Sequence, residues 1–195
     1  RADGHEVLIE LPMEPYSYGR TRPHPQILRA EATKATNTQR LNILLRRVSG
    51  YFGVINYQGA KFATNESASQ TILGALDEKG LAFFEDGSLT ESAFGDVAAQ
   101  KELRFAKSET VIDALPEGDP IEAKLMYLES QARTNRHALG TAFAYPISID
   151  MIKDWTDSLE AKGLILAPAS YYVRQQNKPQ TLSVQTSGQA LQPAP

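Results

Sequence analysis

Residues Gly4–Pro15 read GHEVLIELPMEP. Val7, Leu8 and Ile9 form a short apolar run behind a glycine. The run does not alternate, so it reads as a strand buried on both faces. Glu10 interrupts it, and Glu14 follows four residues later, between Met13 and Pro15. A carboxylate inside such a run is costly to bury unless a metal, a cation or a raised pKa answers it. On this reading Glu10 needs a partner.

The punctuation before this strand recurs. Lys79-Gly80 precedes LAFF, and Lys162-Gly163 precedes LIL. Gly50 precedes Tyr51–Asn56, and a further run spans Ala138–Phe143, with weaker strands expected at Leu103–Ala106 and Val111–Asp113. A glycine just past a helix end takes the left-handed conformation that stops the helix. Between the runs lie amphipathic segments. Leu41, Leu44, Leu45 and Val48 share one helical face. Ile72, Leu73 and Leu76 mark a second helix within Glu66–Lys79. Ile121, Leu125, Leu128 and Ala132 mark a third, with Pro120 in its first turn. Ile149, Ile152, Trp155 and Leu159 mark a fourth, with Ser148 as the expected N-cap. Strand and helix alternate, which predicts an α/β fold with mostly parallel strands and helices outside them.

Two segments depart from this pattern. Pro12–Thr36 is rich in proline and reads as a long irregular loop after the first strand, of the kind that is functional or mobile. Residues 174–195 are rich in Gln, Ser, Thr and Pro and read as a disordered or extended tail. Residues 1–173 are then one α/β domain. The opening RADGHEVL reads as a helix end, a glycine stop and a strand, so further residues are expected upstream of Arg1.

Composition narrows the function classes. The 195 residues are 42% hydrophobic with a net charge of −3, enough apolar material for one core. There is no basic cluster to favour nucleic acid. The absence of cysteine excludes disulfides, thiolate metal sites and a cysteine nucleophile. No apolar run approaches the roughly 20 residues that span a bilayer.

In parallel α/β folds, polar residues at the C-terminal ends of strands line the active face. Here those positions hold Glu10 and Glu14, Asn56 and Tyr57, Glu85 and Asp86, and Asp113. Each also has a structural reading, since Asp86-Gly87 is a good turn pair and Asp113 can cap the next segment. His5, His24 and His137 read as surface residues rather than ligands. No HExxH, Walker, GxGxxG or GxSxG motif is present.

Taken in order, GHEVLIELPMEPYSY, GYFGVINYQGAKFAT, LAFFEDGS, VIDALP, and YPISIDMIKDW with LEAKGLILAPAS after it resemble the divergent polysaccharide deacetylases of bacteria, from Gly4 to about Ser170. The resemblance implies an irregular (β/α) barrel of the polysaccharide deacetylase type, lacking its first strands in this chain. In that type of enzyme an Asp and two His hold a divalent metal, which polarises an acetamide carbonyl and activates water. Laid on Gly4-His5-Glu6-Val7, the family's histidine motif puts its two ligands at Glu10 and Glu14 and its proline at Pro15. Carboxylates suit Mn or Mg better than they suit Zn. The family's Asn-His-Met-Gly becomes Asn56-Tyr57-Gln58-Gly59, and Phe143 stands where a late histidine would fall.

The resemblance therefore assigns Glu10 and Glu14 to a metal (Mn, Mg or Zn), Asn56, Tyr57 and Gly59 to substrate, and Asp86 and Asp113 to catalysis. The implied activity is metal-dependent removal of acetyl groups from a polysaccharide or peptidoglycan-type glycan, in the periplasm or cell envelope. The alternative is a catalytically inactive carbohydrate- or protein-binding relative, favoured by the lost histidines, which leave no general acid in the expected place. A weaker third reading takes Glu10 and Glu14 as a glycosidase acid–base pair.

Overall fold

Four strands run parallel in chain order. They are β1 (Leu8–Met13), β2 (Gly53–Gln58), β3 (Ala82–Glu85) and β4 (Phe105–Lys107), in the sheet order β1-β2-β3-β4. The computed structural model describes residues 5–18 and 24–176, the last three by backbone alone. A separate parallel pair joins β5 (Thr110–Val111) to β6 (Gly140–Thr141). Among the described residues, α1 (Lys34–Leu45), α2 (Ala60–Ala63), α3 (Glu66–Asp77), α4 (Phe94–Lys101) and α5 (Gly118–Asn135) connect these strands, and α6 (Pro146–Ser158) and α7 (Ala169–Gln176) follow the last one.

The parity of each strand sorts its side chains into two cores. Ile9, Leu11 and Met13, with Val54, Phe83 and Phe105, pack on one face against buried residues of α1, α3 and α4. Phe83 sits edge-on to Phe94 of α4, ring centroids 4.7 Å apart. The other face is thinner: Ala82, Phe84 and Ala106 are covered by Tyr172 and Val173 of α7, with Leu8 and Ile55 alongside. A third cluster joins Ile112 to Ile121, Leu125 and Leu128 of α5, and to Met151, Ile152 and Trp155 of α6. The helices of the first three crossovers thus share one core on one face. A barrel winds in this way, whereas a doubly wound sheet alternates faces. Closure into a ring, as the barrel expectation requires, is not seen among the described residues.

Several sequence expectations change. Val7 is exposed, and β1 instead extends through Pro12 to Met13. Phe52 donates its N–H to the Val7 carbonyl, and Leu28 donates to that of Pro12. Odd residues of β1 therefore face β2, and even residues face the outer edge, where a missing proline N–H breaks no bond to β2. Leu164–Leu166 is no strand: Ile165 is 86% exposed. Gly80 and Gly163 are nevertheless left-handed stops, at φ 70° and 71°. Ser148 does not cap α6. Tyr145 occupies the cap position, Pro146 starts the helix, and Ser148 is fully buried one turn in. α7 continues to Gln176, beyond the expected boundary at 173, and the remainder of the expected tail lies outside the described residues.

The loop Pro12–Thr36 is irregular but largely anchored where it is described. Leu28 bridges to Met13, and Ile27, Leu28 and Ala30 are buried. Asn37 of α1 accepts from Arg29 N–H and donates to the Arg29 carbonyl. Asn65, the N-cap of α3, donates to the Ala30 carbonyl.

This packing has two testable outcomes. A Cβ on Gly53 would lie 2.7 Å from the Ala82 carbonyl oxygen, so β2 and β3 approach as closely as they do only with glycine there. Gly53→Ala is expected to lower stability by about 1–3 kcal/mol, read from the urea midpoint. The second concerns Glu129 on α5. Burial pushes its carboxyl up, but hydrogen bonds from Lys162 and Trp155 and the charges of Lys162 and Arg133 outweigh burial, so its pKa is lowered overall. A depressed carboxyl stabilises the fold above its unfolded pKa and loses that contribution as pH falls through the folded value. Trp155 is the single tryptophan. Its fluorescence is expected to titrate below the usual glutamate range, and Glu129→Gln is expected to remove that transition. A transition unchanged in the variant would show that Glu129 does not cause it.

Candidate functional site

The strand ends place the expected site residues unequally. Glu10 belongs to the thin face of β1, opposite Ile55 of β2, and is exposed. This corrects the expectation of a buried carboxylate in need of a partner: water solvates it. Glu14 is the buried one, at 2% exposure. It lies just past β1 and under the returning loop. Its Oε1 pairs with Lys61 Nζ at 3.1 Å, and its Oε2 accepts from Ala30 N–H at 2.8 Å. Its own N–H donates to the Leu28 carbonyl, while its carbonyl accepts from the N–H groups of Lys61 and Phe62.

Asn56 is buried at the end of β2. Its Nδ2 donates to the Gln58 carbonyl and its Oδ1 accepts from Asp86 N–H, both at 2.9 Å. The first bond closes a sharp turn in which Gln58 takes φ 58° and Gly59 takes φ 100°. Left-handed backbone at a non-glycine residue such as Gln58 is strained. A Cβ on Gly59 would come within 2.8 Å of Met13 Cβ, so this glycine serves the close approach of β2 to β1. Tyr57, between them, points its ring to solvent and is 45% exposed.

Asp86 accepts from Ser88 N–H and Ser88 Oγ, closing the turn that its sequence context suggested. Its carbonyl accepts from Thr141 Oγ1 at 2.6 Å. Asp86 therefore joins β2, through Asn56, to β6, through Thr141. The neighbouring Glu85 is buried and pairs with Lys107, its other oxygen accepting from Ser92 Oγ. Asp113 is 1% exposed, and both its oxygens accept from Phe143 N–H, at 2.9 and 3.0 Å.

The structure thus joins Asn56, Asp86 and Thr141 by hydrogen bonds, ties Asp113 to Phe143 two residues beyond Thr141, and sets Glu14 in a separate ionic knot. Among the described residues no group of three or more His, Asp and Glu side chains can hold a metal. His24 is used locally, its Nδ1 accepting from Gln26 N–H, and His137 packs edge-on to Tyr172. Lys61 and Thr141 were not singled out from sequence. Lys61 has one signal, a lone cation directly after the turn spacing Asn56-x-x-Gly59, but nothing local ties it to Glu14. Of the exposed aromatics Phe143 and Tyr145, the first was marked in the sequence only as a departure from the expected motif and the second was not singled out. Their rings lie 5.9 Å apart at 57°.

Comparison with known proteins places this arrangement. The family model described as divergent polysaccharide deacetylase matches residues 1–173. The crystal structure of uncharacterized protein ATU2773 from Agrobacterium tumefaciens C58 superposes with a TM-score of 0.85 at 31% identity, covering 88% of this chain and 70% of that one. Uncharacterized protein YibQ of Escherichia coli (strain K12) is 22% identical over 156 residues, 80% of this chain and 48% of its own. An uncharacterized protein of Haemophilus influenzae is 21% identical over 153 residues, 78% of this chain and 54% of its own. The chain spans about half the length of these two curated relatives. With the parallel sheet, the strand-end polar residues and the match over residues 1–173, the chain belongs to the divergent polysaccharide deacetylase family.

Proposed function

We propose that this chain is a glycan-binding relative of the deacetylases, presenting its strand ends to a peptidoglycan-type polysaccharide of the cell envelope or periplasm. The observation that carries the reading is the state of Glu14. It occupies the second metal-ligand position of the family's motif, yet one of its oxygens pairs with Lys61 and the other accepts from Ala30 N–H. Asp113, assigned to catalysis by resemblance, is likewise engaged by the Phe143 backbone. A carboxylate already satisfied in this way is a poor metal ligand and a poor base, because either task first breaks a buried interaction. Family membership supports the glycan as the ligand class.

Glu10 favours a second reading. It is exposed, on the strand that carries the family's ligand motif, and no hydrogen bond or ion pair from the described residues occupies its carboxylate. A divalent metal (Mn, Mg or Zn) held there would support acetyl-group hydrolysis, with its remaining donors supplied from outside the described residues. The residues present do not complete that set, since Glu10 brings one free carboxylate and Glu14 is tied to Lys61.

Two measurements separate the readings. Calorimetric titration of the chain with Mn²⁺ and with Zn²⁺ is expected to give no saturable site, while sedimentation with insoluble peptidoglycan is expected to retain the chain. A saturable metal site that disappears in Glu10→Gln would restore the hydrolase reading, and failure to sediment would remove the binding one. If Glu14 is structural, Lys61→Met leaves its buried carboxylate without a cation. That variant is expected to lose about 1–3 kcal/mol of stability by urea denaturation, less than a fully buried pair would cost, because Lys61 is partly exposed. An unchanged midpoint would mean the ion pair contributes nothing.

A further inference from the structure

We infer that Phe143 and Tyr145, their rings 5.9 Å apart and inclined at 57°, present a preformed aromatic platform on which one pyranose ring of the glycan stacks against a single ring face, and that Asp113 is the positioning residue that holds it. The inference rests on the glycan-binding reading and names the part of the surface that does the binding.

The chain from Ala142 to Ile147 is exposed throughout, and its two aromatic rings stand out of the surface at 52% and 44% exposure. Their flanking residues, Ala142 and Ala144, are too small to screen the ring faces. Exposed aromatics on a mobile loop would lose entropy on binding, but these are anchored at both ends. Phe143 N–H is gripped by both oxygens of Asp113. Two residues earlier, Thr141 is tied to the Asp86 carbonyl. Tyr145 caps α6, its carbonyl accepts from Ile149 N–H, and Pro146 sets the backbone of the first turn.

Asp113 supplies the second argument. It is a buried carboxylate with no ion-pair partner among the described residues, and both its hydrogen bonds come from one backbone N–H. Burial of such a group is unfavourable for stability alone. Its effect is to fix the backbone beneath an exposed ring, so the penalty is consistent with a surface that must be held in shape.

The chemistry fits a sugar. The axial C–H face of a pyranose is apolar and lies flat on an aromatic ring, while its equatorial hydroxyls point outward and need acceptors. Asp86 is joined to the platform through Thr141 and is partly exposed, and Tyr57 adjoins Asn56, which holds Asp86 from the other side. The segment that bears the platform is thus tied to the polar strand ends through Thr141.

The test uses the 195-residue chain, with chitotetraose and muramidase-released peptidoglycan fragments as probes, read by calorimetry. Phe143→Ala and Tyr145→Ala are each expected to weaken binding about fivefold to tenfold, in line with the usual strength of an aromatic contact. Phe143→Trp is expected to retain it. Asp113→Ala is expected to weaken binding similarly, and Asp113→Asn, which keeps an oxygen acceptor for Phe143 N–H, to restore it. Phe143 and Tyr145 are exposed, so their variants test the platform even if Asp113→Ala does not fold. Undiminished binding by the Phe143→Ala/Tyr145→Ala double variant would overturn the platform and leave the glycan-binding reading standing. If the unmodified chain binds neither probe, the reading itself fails and the platform with it.

Discussion

A half-buried ion pair, between Glu14 and Lys61, sets the shape of the region around β1. Glu14 lies under the loop that leaves this strand, and its side chain and backbone together reach Leu28, Ala30, Lys61 and Phe62. These contacts fold the returning half of a proline-rich loop back onto the sheet and seat α2 beside it. Asn37 and Asn65 then grip the same returning segment from α1 and α3. A carboxylate serves this purpose well. It accepts from a backbone N–H and a cation at once, two charge-assisted bonds that a hydrophobic residue of the same size cannot make.

That constraint explains where reading the sequence succeeded and where it did not. The strands behind Gly50 and Gly80 and the helices at Glu66–Asp77 and Gly118–Asn135 arise from local patterning and were legible. Glu10 was read as buried and is exposed, whereas Glu14, whose burial the sequence did not signal, is the buried one. Glu10 sits among apolar neighbours in sequence, but its parity turns it to the thinly covered face. Glu14 sits in a turn-like context, but a loop from far along the chain closes over it. Burial of this kind is a tertiary property, decided by what returns to cover a residue. For the same reason Leu164–Leu166 has a strand's composition without a strand's neighbours. α2, four residues long, is too short to carry a periodic signal.

The strand-end residues make a related point about function. Asn56, Asp86 and Asp113 were picked out because polar groups at these ends often carry chemistry. They are engaged largely by main-chain atoms: Asn56 holds the Asp86 N–H, Asp86 closes its own turn on Ser88, and Asp113 holds the Phe143 N–H. Facing outward beside them are the aromatic rings of Tyr57, Phe143 and Tyr145, together with the Glu10 carboxylate.

The order of the main sheet is also the order of the chain. β2, β3 and β4 each pair with the strand that precedes them, and their connecting helices dock on the same core. No early strand waits for a late one. Loop closure therefore spans only one βα unit at a time, which keeps its entropic cost small. A nascent chain leaving the ribosome can lay each strand against an edge already formed, so this sheet is suited to assembly during synthesis from its first strand onward.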